Sequence, residues 1–286
     1  MQSWFARRPK IAVLAVGVLL LAAIFSVLLS REREGLRVTF LDVGQGDAVL
    51  IESPSGTALL YDGGPGAQVL APLASALPLF DRTIDMVIAS HPDRDHIGGL
   101  LDVFDRYQVR ALLEPGVRSE NGTDAALLAA AEAEGVSPGL ARAGDILDLG
   151  GEAYAEVLFP DRDVVGMETN SASIVLRVRY GETSLLLTGD LPASIETYLV
   201  ASSPESFRTD ILKLGHHGSR TSSADAFLTA VAPSIAIVSA GCGNSYGHPH
   251  TEVLERLAAH RIAVRSTCDS GSVAFESDGR TWSQLR

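Results

Sequence analysis

The sequence predicts an α/β (α+β) fold of two β-rich sheets with helices on their outer faces. Three observations predict it. Short apolar runs of strand character recur in both halves of the chain. Helical segments are interposed increasingly often towards the C-terminus. Residues rich in His and Asp fall at the C-terminal tips of the apolar runs, where α/β proteins place their chemistry. The chain has 286 residues, 46% of them hydrophobic, enough for a substantial core. No break in composition follows residue 35, so a single domain is expected over 36–286.

The elements follow in order. Residues 1–10 form a basic N-terminus. Ile11 to Leu29 is apolar and uncharged, with Gly17 and Ser26 as mild exceptions. It approaches the roughly 20 residues that a membrane-spanning helix needs. Arg7, Arg8 and Lys10 precede it, so the positive-inside rule keeps the N-terminus cytoplasmic and exports the rest. A cleaved signal peptide is the alternative. However, the run exceeds the usual h-region of about 7–15 residues, and the exit Val27-Leu-Leu-Ser-Arg31 holds no small-x-small site. A buried core helix suits the extreme N-terminal position poorly. The expectation is an uncleaved transmembrane helix at 11–29, a linker at 30–35 and an extracytoplasmic domain.

Arg37–Leu41, Ala48–Glu52 and Ala58–Tyr61 are short, apolar and punctuated by Gly, Pro and Asp, which predicts an antiparallel meander. A proline-interrupted helix is expected over Gln68–Leu79, a buried strand over Asp85–Ser90 and a helix over Ile97–Tyr107. Asp124–Glu134 is Ala-rich and helical. Ala153–Phe159, Ser173–Tyr180 and Ser184–Thr188 read as strands, followed by a helix over Ala193–Ala201. Strands at Ile211–Leu214 and Ile235–Ser239 enclose a helix at Ala224–Val231. A helix over Thr251–His260 and strands at Ile262–Arg265 and Ser272–Phe275 complete the chain.

A net charge of −12 opposes non-specific binding to polyanions. Bridging cations would still let an acidic site take phosphate. Cys242 and Cys268 form no Cys-x-x-Cys pair, so a thiolate metal site is not expected. Export would permit a disulfide between them, and two buried thiols are the equal alternative.

Six of the seven histidines lie in three short motifs. His91-Pro-Asp-Arg-Asp-His96 follows the apolar run Asp85–Ser90 and offers two imidazoles and two carboxylates in one turn, enough for two adjacent cations. Ser184-Leu-Leu-Leu-Thr-Gly-Asp190 delivers Asp190 at a strand tip, where helix capping competes with ligation. Ile211-Leu-Lys-Leu-Gly-His-His-Gly-Ser219 presents two adjacent histidines. Side chains diverge after a strand, so only one is expected to ligate. Asn244-Ser-Tyr-Gly-His-Pro-His250 is a turn-rich loop entering a helix, suited to substrate contact. Gly44-Gln-Gly-Asp-Ala-Val49 lacks the third Gly and the helix of a dinucleotide loop. No Gly-x-Ser-x-Gly elbow occurs, which argues against a serine hydrolase.

Together these motifs resemble the metallo-β-lactamase superfamily, with its His-x-His-x-Asp-His hallmark and distant Asp and His ligands. More narrowly, the chain is similar to the C-terminal hydrolase-like domain of the ComEC competence proteins. Leu41–Ala48, Tyr61-Asp-Gly-Gly64, Ser90–Gly99, Leu187–Asp190, Lys213–Ser219 and Tyr246–His250 carry the likeness, in order, from about Leu36 to Phe275. The resemblance implies an αβ/βα four-layer sandwich and two divalent metal ions, Zn or Mn. By position, Asp95, His96, Asp190 and His216 hold one ion. His91 and Asp93 hold the other, with Asp190 bridging. Asp62 orients the site. Asp93 stands where the wider superfamily has His, and Asn170 where it has its third-motif His. Both changes shift the first site towards oxygen ligands, manganese and partial filling.

The implied function is metal-dependent hydrolysis of phosphodiesters by an activated water, with single-stranded DNA during uptake as one such substrate. Asp95 would position the water. His248 would stabilise developing charge or protonate the leaving oxygen. His217 is expected beside the ligands, and Lys213 and Ser219 would contact phosphate oxygens. A snorkelling strand-end role is the alternative for Lys213. ComEC proteins also have a polytopic channel region. A membrane-tethered hydrolase working with a separate channel protein is therefore expected. Alternative readings are cell-wall phosphodiesters such as phosphocholine esters, small lactones, or a non-catalytic accessory module that binds DNA or a channel partner.

Overall fold

The structure, a computed structural model, describes residues 8–28, 33–202 and 204–285. Among these residues two large sheets face each other. The first has eight strands, ordered Trp282–Gln284, Val273–Ser277, Leu36–Phe40, Val49–Glu52, Ala58–Tyr61, Met86–Ile88, Leu112–Glu114 and Gly139–Leu140. The expected meander forms, with Val38 opposite Ile51 and Leu50 opposite Leu60. From Ala58–Tyr61 onward the pairing is parallel, Tyr61 beside Ile88 and Ile88 beside Leu113. The second sheet has seven strands, ordered Ala263–Ser266, Ile235–Val238, Ile211–Lys213, Thr183–Leu187, Val175–Tyr180, Ala153–Phe159 and Ile146–Gly150. Here the first four pair in parallel and the rest as antiparallel hairpins.

Three apolar clusters make four layers of these sheets. Val38, Ile51, Leu59 and Tyr61 meet Val157, Leu176, Leu185 and Leu187 between the sheets. The alternate residues Leu50, Leu60 and Val87 face outward against the helices Leu70–Ala76, Leu100–Arg106 and Thr123–Ala133. On the far side Val175, Leu186 and Leu212 pack on Ala193–Ser202, Asp225–Val231 and Thr251–Ala259. Both faces of the inner strands are therefore buried. That is why residues 49–51 and 185–187 read as continuous apolar runs rather than alternating ones. The expected αβ/βα arrangement is present.

Parallel pairing has a functional consequence. It carries the C-terminal ends of Ala58–Tyr61 and Met86–Ile88 in one sheet, and of Thr183–Leu187, Ile211–Lys213 and Ile235–Val238 in the other, into the loops that hold the polar motifs.

The structure departs from expectation in detail. The helix expected over 68–79 runs only from Leu70 to Ala76, and the strand expected over 85–90 from Met86 to Ile88. Leu112–Glu114, Gly139–Leu140, Ile146–Gly150 and Trp282–Gln284 are strands that the sequence did not announce. Cys242 and Cys268 are joined by a disulfide, with their Cα atoms 5.0 Å apart. The expected anchor overlaps a helix, Arg8–Leu28. Its described side chains at 13–22 are exposed apart from half-buried Gly17, and residues 1–7 and 29–32 lie outside the described residues. Among the described residues no helix is long and apolar enough to cross a membrane, so the transmembrane helix is not shown.

One buried acid outside the polar motifs couples the outer helices to pH. Glu196, in the helix Ala193–Ser202, accepts hydrogen bonds from the Ser223 N–H (2.8 Å) and the Ala224 N–H (2.7 Å). Burial lifts its carboxyl to about 7 despite those bonds and nearby Arg256. An acid raised on folding favours the native state below its unfolded value and loses that contribution as pH rises through the folded value. At about 1.36 kcal/mol per pH unit, the loss between pH 4.5 and 7 is at most roughly 3 kcal/mol. Urea denaturation at several pH values is expected to show this decline, and Glu196→Gln to flatten it. An unchanged slope in the variant would assign the decline elsewhere.

Candidate metal centre

The site begins where the strand Met86–Ile88 ends. Ser90 and His91 are fully buried, and the chain turns into the short helix Arg94–Ile97, which carries Asp95 and His96. Asp62, at the tip of the neighbouring parallel strand, organises both imidazoles. Its Oδ1 accepts from the Ser90 N–H (2.7 Å), and its Oδ2 from the Ser90 hydroxyl (2.7 Å) and from His96 Nδ1 (2.8 Å). A hydroxyl has one proton, and Ser90 gives it to Asp62. The 2.9 Å contact between Ser90 Oγ and His91 Nδ1 must then be donated by the imidazole. Neutral His91 is left with a bare Nε2, and neutral His96 likewise. One carboxylate thus sets the tautomer of two rings, as outer residues around a metal do. Ser90→Ala is expected to weaken cation binding about 10- to 100-fold by freeing His91. A titration calorimetry series with Mn²⁺ and Zn²⁺ checks this, and unchanged affinity would sink it.

Asp47 arrives from the first loop of the meander. Gly46 makes the approach possible: its φ is +137°, and a Cβ there would lie 2.2 Å from the Asp95 carbonyl oxygen. The Asp47 N–H donates to that same carbonyl at 3.2 Å. Asp190 comes from the tip of Thr183–Leu187, with its own N–H donating to Ser173 Oγ (3.2 Å). Its carboxylate caps no helix but faces histidines: His96 Nε2 at 3.2 Å, His217 Nε2 at 3.5 Å and His216 Nε2 at 3.6 Å. His217 also reaches Asp47 with Nδ1 and Asp95 with Nε2, both at 3.3 Å.

Asp47, His96, Asp190 and His217 are all buried, and one ligand atom from each lies within 4.8 Å of the others. The ligand atoms face one another: His217 Nδ1 is 3.3 Å from Asp47, whose carboxylate also pairs with Lys213, and His96 Nε2 is 3.2 Å from Asp190 Oδ1, while buried His91 Nε2 has no hydrogen-bond partner. Charged and polar atoms buried at this density are costly unless a further group satisfies them. A mixed oxygen–nitrogen donor set without thiolate suits a divalent cation such as Mn²⁺ or Zn²⁺.

Electrostatics points the same way. Burial would depress His217, but Asp190 and Asp47 overcome it and raise the imidazole to about 9. Burial likewise opposes, and Asp190 with Asp62 outweighs it, in lifting His96 well above the usual range. Protons and a cation therefore compete for the same imidazole nitrogens. His91, buried and beside His96, is pushed down to about 3 and stays neutral. Burial, and then His217, His216 and His250, push His248 down to about 4.

The group differs from the expected ligands in two places. His217 belongs to it, whereas His216 was expected there. The two adjacent side chains do not diverge, because both residues adopt left-handed backbone angles, with φ of 50° and 55°. The turn Gly215–Gly218 thus presents both rings to Asp190, with His217 buried and His216 30% exposed. Asp47 is the second difference and was missed. Its signal is its place in the motif Leu41–Ala48, which carries part of the family likeness.

Two further residues sit as follows. Lys213 does not snorkel: it is fully buried and ion-paired with Asp47. Ser219 is buried, its hydroxyl 2.9 Å from Thr221 Oγ1 and bonded to the Thr221 N–H, so it closes a turn.

Asp93 and Asp95 sit at the rim, 36% and 37% exposed. Asp93 Oδ2 is 3.8 Å from His91 Nε2, and the carboxylate hydrogen-bonds Thr169. Asn170 follows Thr169 in the turn Asn170–Ala172, with Oδ1 buried and unpartnered. His248 stands 5.5 Å from the His216 ring and 6.2 Å from His217.

Comparison with known proteins agrees. The sequence profile of the Metallo-beta-lactamase superfamily matches residues 41–241. The chain is 32% identical over 271 residues to ComE operon protein 3 of Bacillus subtilis, covering 88% of this chain and 34% of that protein. It is 34% identical over 264 residues to Recombination protein 2 of Haemophilus influenzae (90% and 31%), and 34% identical over 239 residues to Competence protein ComA of Neisseria gonorrhoeae (83% and 32%). The chain thus spans about a third of the length of these relatives. Among solved structures, the metallo-beta-lactamase fold protein YhfI of B. subtilis superposes with a TM-score of 0.56 at 14% identity, over 85% of this chain and all of that one. Igni18, a metallo hydrolase of Ignicoccus hospitalis, gives 0.54 at 15% identity over 85% and 99%. At such identities the likeness is one of fold. Four-layer architecture, a buried Asp–His group at the ends of parallel strands and a profile match over most of the domain lead to one assignment: the chain belongs to the metallo-beta-lactamase superfamily.

Proposed function

We propose that this protein is a metal-dependent phosphodiesterase acting on single-stranded DNA. The buried group Asp47, His96, Asp190 and His217, with its ligand atoms within 4.8 Å of one another, carries the reading. Relatives named Competence protein ComA and Recombination protein 2 support a role with DNA. A divalent cation held here would neutralise substrate charge and supply an activated water, which reconciles a phosphate substrate with a chain of net charge −12. A second cation, between His91 and Asp93 with Asp190 shared, is part of the proposal. Asp62 and Ser90 fix the imidazoles. Asp95, partly exposed and bonded to His217, orients the attacking water. His248, held neutral near pH 7, donates a hydrogen bond to developing charge rather than acting as a ready acid. The apolar stretch 11–29 tethers the domain outside the cytoplasm beside a separate channel protein. The Cys242–Cys268 bond supports that placement, since disulfides persist in oxidising compartments.

The test is cleavage of bis-p-nitrophenyl phosphate and single-stranded DNA by the full chain, with Mn²⁺ or Zn²⁺ added after chelation. Metal-dependent turnover of both is expected. Absence of turnover with either metal overturns the reading. A mature N-terminus near Ser30 would remove the tether.

A further inference from the structure

Beside the cluster of ligands lies a groove of about 600 Å³ whose walls include Asp42, Gln45, Pro65, Gln68, Asp95 and Tyr246. Asp95 joins the two, its carboxylate 3.3 Å from His217 Nε2 on one side and on the groove wall on the other. No Lys or Arg is among the described residues lining this groove. It cannot hold a strand by tracking phosphates.

An aromatic surface is available instead. Tyr246 is 65% exposed, unusually open for a large ring beside a polar site. Its ring lies nearly parallel to His248, with centroids 5.7 Å apart and planes at 22°. His248 backs one face, and the other is left open. This is not a loose loop tip. Asn244 Oδ1 accepts from the Tyr246 N–H (3.2 Å) and the His248 N–H (3.0 Å), while its Nδ2 donates to the carbonyls of Gly241 (2.9 Å) and His248 (2.6 Å). The Gly241 N–H donates to Gln45 Oε1 across the groove (3.2 Å), and Cys242 is bonded to Cys268. The backbone that carries the ring is thus fixed before any ligand arrives, which lowers the ordering entropy opposed to a flat partner.

From this arrangement we infer that Tyr246 is a stacking platform for a nucleobase flanking the scissile phosphodiester, with His248 as its backing. The inference rests on the phosphodiesterase reading and names how that substrate is gripped. Every base has a π-face, so the grip favours single strands, whose bases are unstacked, without selecting sequence. In a cation-poor groove on an acidic protein, stacking supplies the affinity that basic residues supply elsewhere.

The test uses the full chain with Mn²⁺ and two matched single-stranded oligonucleotides, one base-bearing and one abasic around the cleaved position. Tyr246→Ala is expected to raise KM for the base-bearing strand roughly 5- to 100-fold, with a smaller change in kcat. Tyr246→Trp should restore it, and the abasic strand should respond far less to either variant. In chelated protein, a 2-aminopurine strand should be quenched by the wild type and not by Tyr246→Ala. Equal KM changes on the two strands, or quenching that survives in the alanine variant, overturns the platform. A wild type that cleaves neither strand counts against the phosphodiesterase reading instead, and the quenching arm still decides the platform.

Discussion

Asp190→Ala is expected to strip the protein of its cation and lower hydrolysis by about 10³-fold or more. The carboxylate is 3% exposed and is the point on which His96, His216 and His217 converge at 3.2, 3.6 and 3.5 Å. Without it Asp47 is the remaining carboxylate of the buried group. The imidazoles then lose the charge that orients them towards a common centre. Elemental analysis after dialysis, beside turnover of bis-p-nitrophenyl phosphate, separates loss of metal from loss of fold. Circular dichroism of the variant should stay native, because Asp190 donates its N–H to Ser173 through the backbone and that bond survives. Wild-type metal content in the variant would remove Asp190 from the site.

Lys213→Met should destabilise the protein by about 3–5 kcal/mol, the usual cost of leaving a buried charge without its partner. Lys213 and Asp47 are both fully buried and paired, and Lys213 holds Asp47 ionised against the penalty of burial. Methionine keeps the unbranched apolar stem, one atom shorter, and removes the charged ammonium with its donors. A Tm fall of about 10 °C follows for a domain of this size. Excess Mn²⁺ should recover much of it, since a bound ion offers Asp47 the positive charge that the lysine gave. Melting curves with Mn²⁺ and with chelator test both halves. A variant as stable as wild type without metal would mean that the pair contributes nothing.

How much of this was legible depended on whether side chains or backbone carried the message. His91, His96 and Asp190 announced themselves as ligand types at strand tips, and Asp62 came with its motif. The four layers were legible because fully buried strands write continuous apolar runs. What failed was conformational. That His216 and His217 would fall on one side depends on two left-handed residues in succession, a state no side-chain pattern encodes. Asp47 lay in a recognisable motif, but its place among the ligands depends on Gly46 letting two loops touch. The strand Gly139–Leu140 is too short to show a period, and Ile146–Gly150 is an edge with mixed exposure.

The disulfide divides the molecule's labour. Cys242 and Cys268 close a loop of 26 residues holding Tyr246, His248 and the helix Thr251–Ala259, and none of the buried ligands lies within it. Reducing the bond returns loop-closure entropy worth roughly 3.5 kcal/mol to the unfolded chain and slackens that segment, leaving the cation pocket built. Dithiothreitol should therefore raise the Kd for an oligonucleotide while metal content holds. Parallel falls in both would show that the segment also supports the pocket. Under the proposed function, a reduced copy would keep its cation pocket but lose its hold on a strand, and oxidation would supply that hold.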